Sequence, residues 1–367
     1  MNDINLNRHF VFIIGTRAQL IKVAPVIVEC EKRKHQCTLL MTGQHQETMQ
    51  DLLDEFGIIS QQVAALPAKE RATIFSLLAW LPQAYKGTVD QLKSLDTEIK
   101  KIDVLVHGDT LSTILGAIAG RVVGARIVHL ESGLTSQRVF DPFPEEIVRR
   151  IVFHLTHIAM CPNEETLLYM QKKYSHCVAI DTKGNTIVDS IKISGIQRKI
   201  DDNSIPYVVA SLHRFQNIYE RKRFNELVQI LINISKTHQV KFVLHPATRK
   251  RLSKANLYKQ LESTQNIELI PRLGYRAFLK LSAESACVLT DGGSNQEELA
   301  VIGVPTIIMR QATERTDGLG SNAIMENAIN GLVSEYIHSK KYKNLERAST
   351  IYEFSPSAVM VDKLLEN

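Results

Sequence analysis

The stretch Phe10-Val11-Phe12-Ile13-Ile14-Gly15-Thr16-Arg17-Ala18-Gln19-Leu20-Ile21-Lys22 decides the fold. Five consecutive residues, all β-branched or aromatic, suit a strand with both faces covered. Gly15-Thr16-Arg17 breaks the run, and a helical pattern follows from Ala18 to about Cys30. A buried strand turning into a helix opens a βαβ unit and predicts a parallel sheet. The alternation continues: strands are expected at Cys37–Met41, Asp103–Val106, Ile127–Leu130 and Ile158–Met160, with helices beside them. It restarts after about residue 185, with strands at Tyr207–Ala210, Val240–Leu244, Ile267–Ile270, Cys287–Leu289 and Thr306–Met309 and a helix at Arg221–Ser235. The expectation is two α/β domains, 1–180 and 181–349, followed by an apolar helical stretch at Ala358–Leu365. Such sheets bind ligands outside the carboxyl ends of their strands, so the polar residues just after each strand are the ones to inspect.

Composition agrees and excludes other classes. A chain of 367 residues exceeds what one core organises, which favours two domains. Hydrophobic residues make up 44%, and 44 Lys and Arg face 39 Asp and Glu, a balance unlike that of a disordered chain. No apolar run reaches the 18 or so residues of a membrane-spanning helix. The opening MNDINLNRHF carries no apolar signal segment, so a cytoplasmic protein is expected. The net charge of +5 is dispersed, and the short runs Lys32-Arg33-Lys34 and Arg249-Lys250-Arg251 read as solvated helix ends, not as a nucleic-acid surface. Cys30, Cys37, Cys161, Cys177 and Cys287 form no C-x-x-C pair, which points to reduced, mostly buried thiols and gives no support to a metal site.

The first turn is neither G-x-G-x-x-G nor a Walker loop. Gly15, Arg17 and the amides of a helix N-terminus suit a phosphate; a tight turn with surface cations is the competing reading. Lys22, five residues past Arg17, can point back to the same place. Asp109, in His107-Gly108-Asp109-Thr110, either caps the next helix or faces a ligand. Glu131 follows its strand directly and has no capping reason as good. Glu145 stands in Pro142-Phe143-Pro144-Glu145-Glu146, an acidic helix start with Arg149 four residues on. Each is unremarkable singly. Three carboxylates at strand ends or a helix start in one domain suit proton transfer, because neighbouring carboxylates in a partly dry site hold different protonation states.

In the second half, His213 follows the strand Tyr207–Ala210 and His245 follows the next. The strongest local signal is Thr290-Asp291-Gly292-Gly293-Ser294-Asn295-Gln296-Glu297-Glu298, which follows a buried strand and opens a helix. Bare glycine amides, a hydroxyl and a positive dipole end make a diphosphate cradle; a flexible turn before an acidic helix is the plainer alternative.

Together these residues resemble the non-hydrolysing UDP-N-acetylglucosamine 2-epimerase family. GTRAQLIKVAP, TGQH, HGDT, HLESGL, PFPEE with Arg149, LHR, TDGGSNQEE and MRQATER stand in the family's order, from about Phe10 to Asn322. The resemblance implies a GT-B architecture: two Rossmann-like domains, an active site in the cleft between them, and a C-terminal helix, about 350–367, crossing back to the first. It implies a homodimer, a UDP-sugar substrate, no nucleic-acid or membrane partner, and no metal or other cofactor. The implied reaction is epimerisation at carbon 2 of a UDP-linked 2-acetamido sugar, UDP-GlcNAc to UDP-ManNAc or an analogue, in surface polysaccharide synthesis. UDP is eliminated to give a 2-acetamidoglucal and then added back. By motif position Asp109, Glu131 and Glu145 are the acid/base candidates, with Lys22 and His213 assisting. Arg17, Gly292, Gly293, Ser294, Glu298, Tyr275, Phe278 and Arg315 match residues that bind UDP.

The match is that of a divergent member. The family's GTRPE reads Gly15-Thr16-Arg17-Ala18-Gln19, its Arg after HxEAGL is Thr135, Ser132 replaces an Ala, and Asn295 replaces an apolar residue. Thr135 and Asn295 leave the exact sugar open, and a modified UDP-sugar, such as a deoxy, diacetamido or uronic acid form, fits as well as UDP-GlcNAc. Gln44 is kept, but Glu47, Phe215 and Gln216 depart from the pattern that accompanies activation by a second UDP-sugar, so that activation is not expected. A hydrolysing epimerase, a GT-B glycosyltransferase and a catalytically silent UDP-sugar-binding protein are the competing functions.

Overall fold

The computed structural model describes residues 8–43, 49–66, 74–136, 138, 143–199, 206–313, 315–350 and 354–366. The chain divides into two compact units, Met1–Ile193 with Phe354–Asn367, and Ser194–Glu353.

In the first unit seven strands form one parallel sheet: β1 (His9–Ile14), β2 (Cys37–Met41), β3 (Gln61–Ala64), β4 (Ile102–His107), β5 (Arg126–Leu130), β6 (Ile158–Cys161) and β7 (Val178–Asp181). Their order is β3-β2-β1-β4-β5-β6-β7. The helices are α1 (Arg17–Lys32), α2 (Gln50–Phe56), α3 (Ile74–Ser94), α4 (Leu111–Val123), α5 (Glu145–Leu155), α6 (Glu164–Lys173) and α7 (Ile187–Ser194). Every residue of β1 is buried, as its unbroken apolar run requires of a central strand. Val11 and Ile13 pair in register with Val104 and Val106 and pack with Ile127, Ala117 and Ala119 in one core. Both α1 and α4 start from a capping box, Thr16 with Gln19 and Thr110 with Thr113.

The second unit repeats the plan with six parallel strands: β8 (Tyr207–Ser211), β9 (Gln239–Leu244), β10 (Ile267–Pro271), β11 (Cys287–Thr290), β12 (Thr306–Ile308) and β13 (Ala323–Met325), in the order β10-β9-β8-β11-β12-β13. Its helices are α8 (Phe215–Tyr219), α9 (Arg221–Ile234), α10 (Pro246–Lys254), α11 (Tyr258–Glu262), α12 (Tyr275–Ala283), α13 (Gly293–Ile302) and α14 (Val333–His338). Two parallel Rossmann-like units in one chain are the GT-B class. In each sheet the chain reverses its direction of build-up next to the first strand, between β1 and β4 and between β8 and β11. That switch point is where open parallel sheets bind ligands.

The first unit extends past residue 180, to Ile193. Helix α7 belongs with it because Thr186 Oγ1 and Ser190 Oγ donate to the carbonyls of Lys22 and Ile21, at 2.6 Å each. The chain returns to the same unit in α15 (Pro356–Glu366), which packs on α1. Asp189 of α7 is buried and accepts from both the amide and the hydroxyl of Ser357, at 2.8 and 2.7 Å. Three strands that the apolar pattern does not announce, β3, β7 and β13, all lie at sheet edges.

Candidate active site

In the first unit β1, β4 and β5 end side by side. A Cβ at Gly15 would lie 1.8 Å from Ser112 Oγ and 2.8 Å from Thr42 Oγ1, so close packing is reason enough for a glycine there. Arg17 opens α1, and its guanidinium makes a two-pronged bond to Asp51 of α2, at 2.5 and 2.7 Å. Gln19 accepts from the Gly15 amide at 2.9 Å and donates to the His107 carbonyl at 2.9 Å, tying the ends of β1 and β4 together.

Glu131 is the focus. Its backbone φ is +58°, the left-handed region that a residue with a side chain occupies only when the surroundings hold it there. Its Oε1 accepts from Lys22 Nζ at 2.6 Å and from Asn185 Nδ2 at 2.5 Å, and its Oε2 lies 3.4 Å from His107 Nε2. The side chains of Lys22 and Glu131 are only 4% and 8% exposed, so each compensates a charge the other needs. Asp109 pairs with Arg149 at 2.5 Å. The cap of α4 is Thr110, which settles the capping alternative for Asp109. Glu145 opens α5, and its Oε2 is buried with no hydrogen-bond partner among the described residues.

Two further residues organise this strand end. His129 Nε2 bonds the Gly108 carbonyl at 2.9 Å and Nδ1 the Ser132 hydroxyl at 3.0 Å. A carbonyl only accepts, so Nε2 carries the proton and Ser132 donates to Nδ1. Burial pushes the His129 pKa down to about 4, which leaves the ring neutral. Glu146, fully buried, accepts from Thr135 Oγ1 at 2.5 Å, the Ser136 amide at 3.2 Å and Arg150 Nε at 3.0 Å. Burial alone would raise its pKa, but these donors outweigh burial and lower it.

The remaining candidates belong to the second unit. Asp291, fully buried at the end of β11, accepts from the backbone amides of His213 and Arg214 at 3.0 Å and from Asn217 Nδ2 at 2.8 Å. It thereby fixes the loop that carries His213. The His213 ring is about one-third exposed, stacks on His245 at 5.2 Å, and lies 3.3 Å from where a Gly292 Cβ would be. Gly292 caps α13, followed by Gly293 and a half-buried Ser294. Arg315 lies against Gly293, its Nε 2.9 Å from a Cβ there, and it pairs with the buried Glu297. Glu298 is buried one residue further on. Gln296 donates to the carbonyls of Arg315 and Asp317, at 3.1 and 2.8 Å, and so places that loop. Tyr275 opens α12 and is buried, Phe278 is half-buried, and α12 packs on α13.

Lys22 and Glu131 are thus brought together, as are His213 with the glycine turn and Arg315 with Gly293. Arg17 is turned to Asp51. Phe215 is exposed and stacks on Tyr219, while Gln216 lines a groove of about 530 Å³ with Arg214, Arg223 and Arg310. Gln44 and Glu47 lie outside the described residues. Among the described residues no group of three or more His, Cys, Asp and Glu is arranged to hold a metal ion. Sequence reasoning gave no role to His107, Asn185, Glu146, Asp291, Asn217 or Gln296. Asn185 follows the strand end of β7, a position that would have drawn notice had that edge strand been recognised.

Two parallel Rossmann-like units in one chain place the protein in the GT-B class. Solved structures agree in fold. The UDP-GlcNAc 2-epimerase of Neisseria meningitidis, bound to UDP-GlcNAc, superposes with a TM-score of 0.76 at 24% identity, covering 98% of this chain and all of that one. That of Methanocaldococcus jannaschii, in complex with UDP-GlcNAc and UDP, gives 0.74 at 24% identity over 98% and 99% of the two chains. The UDP-N-acetylglucosamine 2-epimerase of Methanococcus maripaludis is 30% identical over 359 residues, 90% of this chain and 92% of that protein. The family model for UDP-N-acetylglucosamine 2-epimerase matches residues 28–365, and the chain belongs to this family of isomerases.

Proposed function

We propose that the protein inverts carbon 2 of UDP-N-acetylglucosamine, or of a close UDP-linked 2-acetamido analogue, by eliminating UDP and adding it back. The observation that carries this reading is the carboxylate set at the switch point of the first unit, with Glu131 on Lys22 and Asp109 on Arg149. The carbon 2 proton is weakly acidic, and its removal needs a base held ionised close to where it acts. Its electron pair forms the carbon 1–carbon 2 double bond as the carbon 1–oxygen bond breaks toward UDP. Charge grows on the diphosphate, and the amides of Gly292 and Gly293 at the start of α13, with Ser294, His213 and Arg315, suit it. Return of UDP to carbon 1, with protonation of carbon 2 on the other face, completes the inversion without a change of oxidation state. Thr135 and Asn295, which depart from the family pattern, donate to Glu146 and Thr290, so both bond protein groups. That supports UDP-GlcNAc itself as the first substrate to try.

The same reading carries a cytoplasmic setting, which suits the five free thiols. It also carries a homodimer. Ile118 and Val122 of α4 and Ile151 of the adjoining α5 are exposed apolar surface that a second copy can cover.

The test is incubation with UDP-GlcNAc in heavy water without an acceptor. Deuterium at carbon 2 of a UDP-linked product is expected. Free sugar with UDP identifies a hydrolase, and turnover only with an acceptor identifies a transferase; either overturns the reading. Asp109→Asn and Glu131→Gln are each expected to abolish exchange while UDP still binds. A variant exchanging at the unaltered rate removes that residue from the proton path.

A further inference from the structure

We propose that Asn185 is a positioning residue of the reaction: with Lys22 it holds Glu131 as the anion that takes the carbon 2 proton, and Glu145 returns one on the other face. The inference rests on the functional reading above. Asn185 lies in the connection from β7 to α7. Its amide donates to Glu131 Oε1 at 2.5 Å, while its own oxygen accepts from the Ile187 amide at 3.1 Å, which fixes which end of the amide faces the carboxylate. Among the described residues, the groups facing Glu131 include Lys22 from α1, His107 from β4, Asn185 from this connection, and His129 of β5, neutral through burial. One oxygen taking two donors, one of them charged, favours the ionised carboxylate. Asp109 is likewise matched, by Arg149.

Glu145 is arranged in the opposite way. Its Oε2 is buried without a hydrogen-bond partner among the described residues. In the elimination, Glu131 takes the carbon 2 proton. In the re-addition, the double-bond pair takes the proton of Glu145 while a UDP oxygen forms the bond to carbon 1. Each turnover leaves Glu131 protonated and Glu145 ionised, and exchange with water resets both.

The experiment measures kcat/KM for UDP-GlcNAc against pH, with UDP affinity by calorimetry, for Asn185→Leu, Asn185→Asp and Asn185→Ser. Loss of the donor raises the pKa of Glu131, so the acidic limb is expected to rise by about one pH unit in Asn185→Leu and further in Asn185→Asp. Asn185→Ser, which keeps a donor, lies nearer the parent protein, and UDP affinity is unchanged throughout. A rate lowered equally at every pH, with the limb in place, shows a merely structural role and overturns the proposal. Melting temperatures of Glu131→Gln and Glu145→Gln give an arm independent of activity and of whether Asn185→Leu folds. Glu131→Gln is expected to melt lower, because Lys22 loses its counter-charge, and Glu145→Gln to melt at or above the parent. Equal losses overturn the division of roles. A parent protein that converts no UDP-GlcNAc while the melting contrast holds sinks the functional reading alone.

Discussion

His129 ties the strand end together through a ring that must stay neutral to keep both its bonds. Its folded-state pKa of about 4 lies below the ordinary histidine value of 6.5, so the unfolded chain binds its proton first as pH falls. The stability this ring contributes is complete above about pH 6.5 and is lost progressively down to about pH 4, on the order of 3 kcal/mol. Urea denaturation at pH 7.5 and pH 4.5 is expected to show a smaller acid loss for His129→Gln than for the parent; parallel losses contradict it. The carboxylates of this site were legible as polar residues ending apolar strands. Their partners were legible only in part: Lys22 was placed beside them, and Asn185 was not. Asn185 reaches Glu131 across 54 positions of sequence, and Arg17 is claimed by Asp51, a residue on a different helix. Local pattern states what a side chain can do and not which neighbour engages it.

Among the elements, the start of α13 shows a dependence between residues. Thr290 Oγ1 accepts both from the Gly292 amide at 3.1 Å and from Asn295 Nδ2 at 3.0 Å. The Asn295 amide thereby lies against Gly292, 3.2 Å from where a Cβ would stand, and His213 Cε1 lies 3.3 Å from the same point. Gly292→Ser is expected to displace one or both and weaken UDP binding about tenfold, roughly 1.4 kcal/mol. Asn295→Ala in the same chain removes one obstacle and is expected to recover part of that loss by calorimetry. Simply additive losses would mean that the two residues do not meet. The glycine pair was legible as a turn opening a helix, while the crossing amide was not. The strands divide in the same manner. Interior strands such as β1 and β4 carry continuous apolar runs because both their faces are covered. The edge strands β3, Gln61–Ala64, and β7, Val178–Asp181, are largely exposed or half-buried and have no such run to read.

For the molecule as a whole, two parallel units followed from the restart of the strand–helix rhythm, but the border did not. Residue 180 lies inside β7, and the bonds from Thr186 and Ser190 to α1 help carry the first unit on to Ile193. The clasp of α15 is equally tertiary. Asp189→Ala leaves the Ser357 amide and hydroxyl without their acceptor and is expected to cost about 2 kcal/mol of stability in urea. UDP affinity, which we propose belongs to the second unit, is expected to hold at native conditions. An unchanged urea midpoint would show that the clasp contributes nothing. Because α15 comes after residue 353, the two units also differ in when they can be finished. On the ribosome, Ser194–Glu353 emerges as one uninterrupted segment and can close first. The first unit, although its strands are translated earlier, waits for its last helix until the second has already been made.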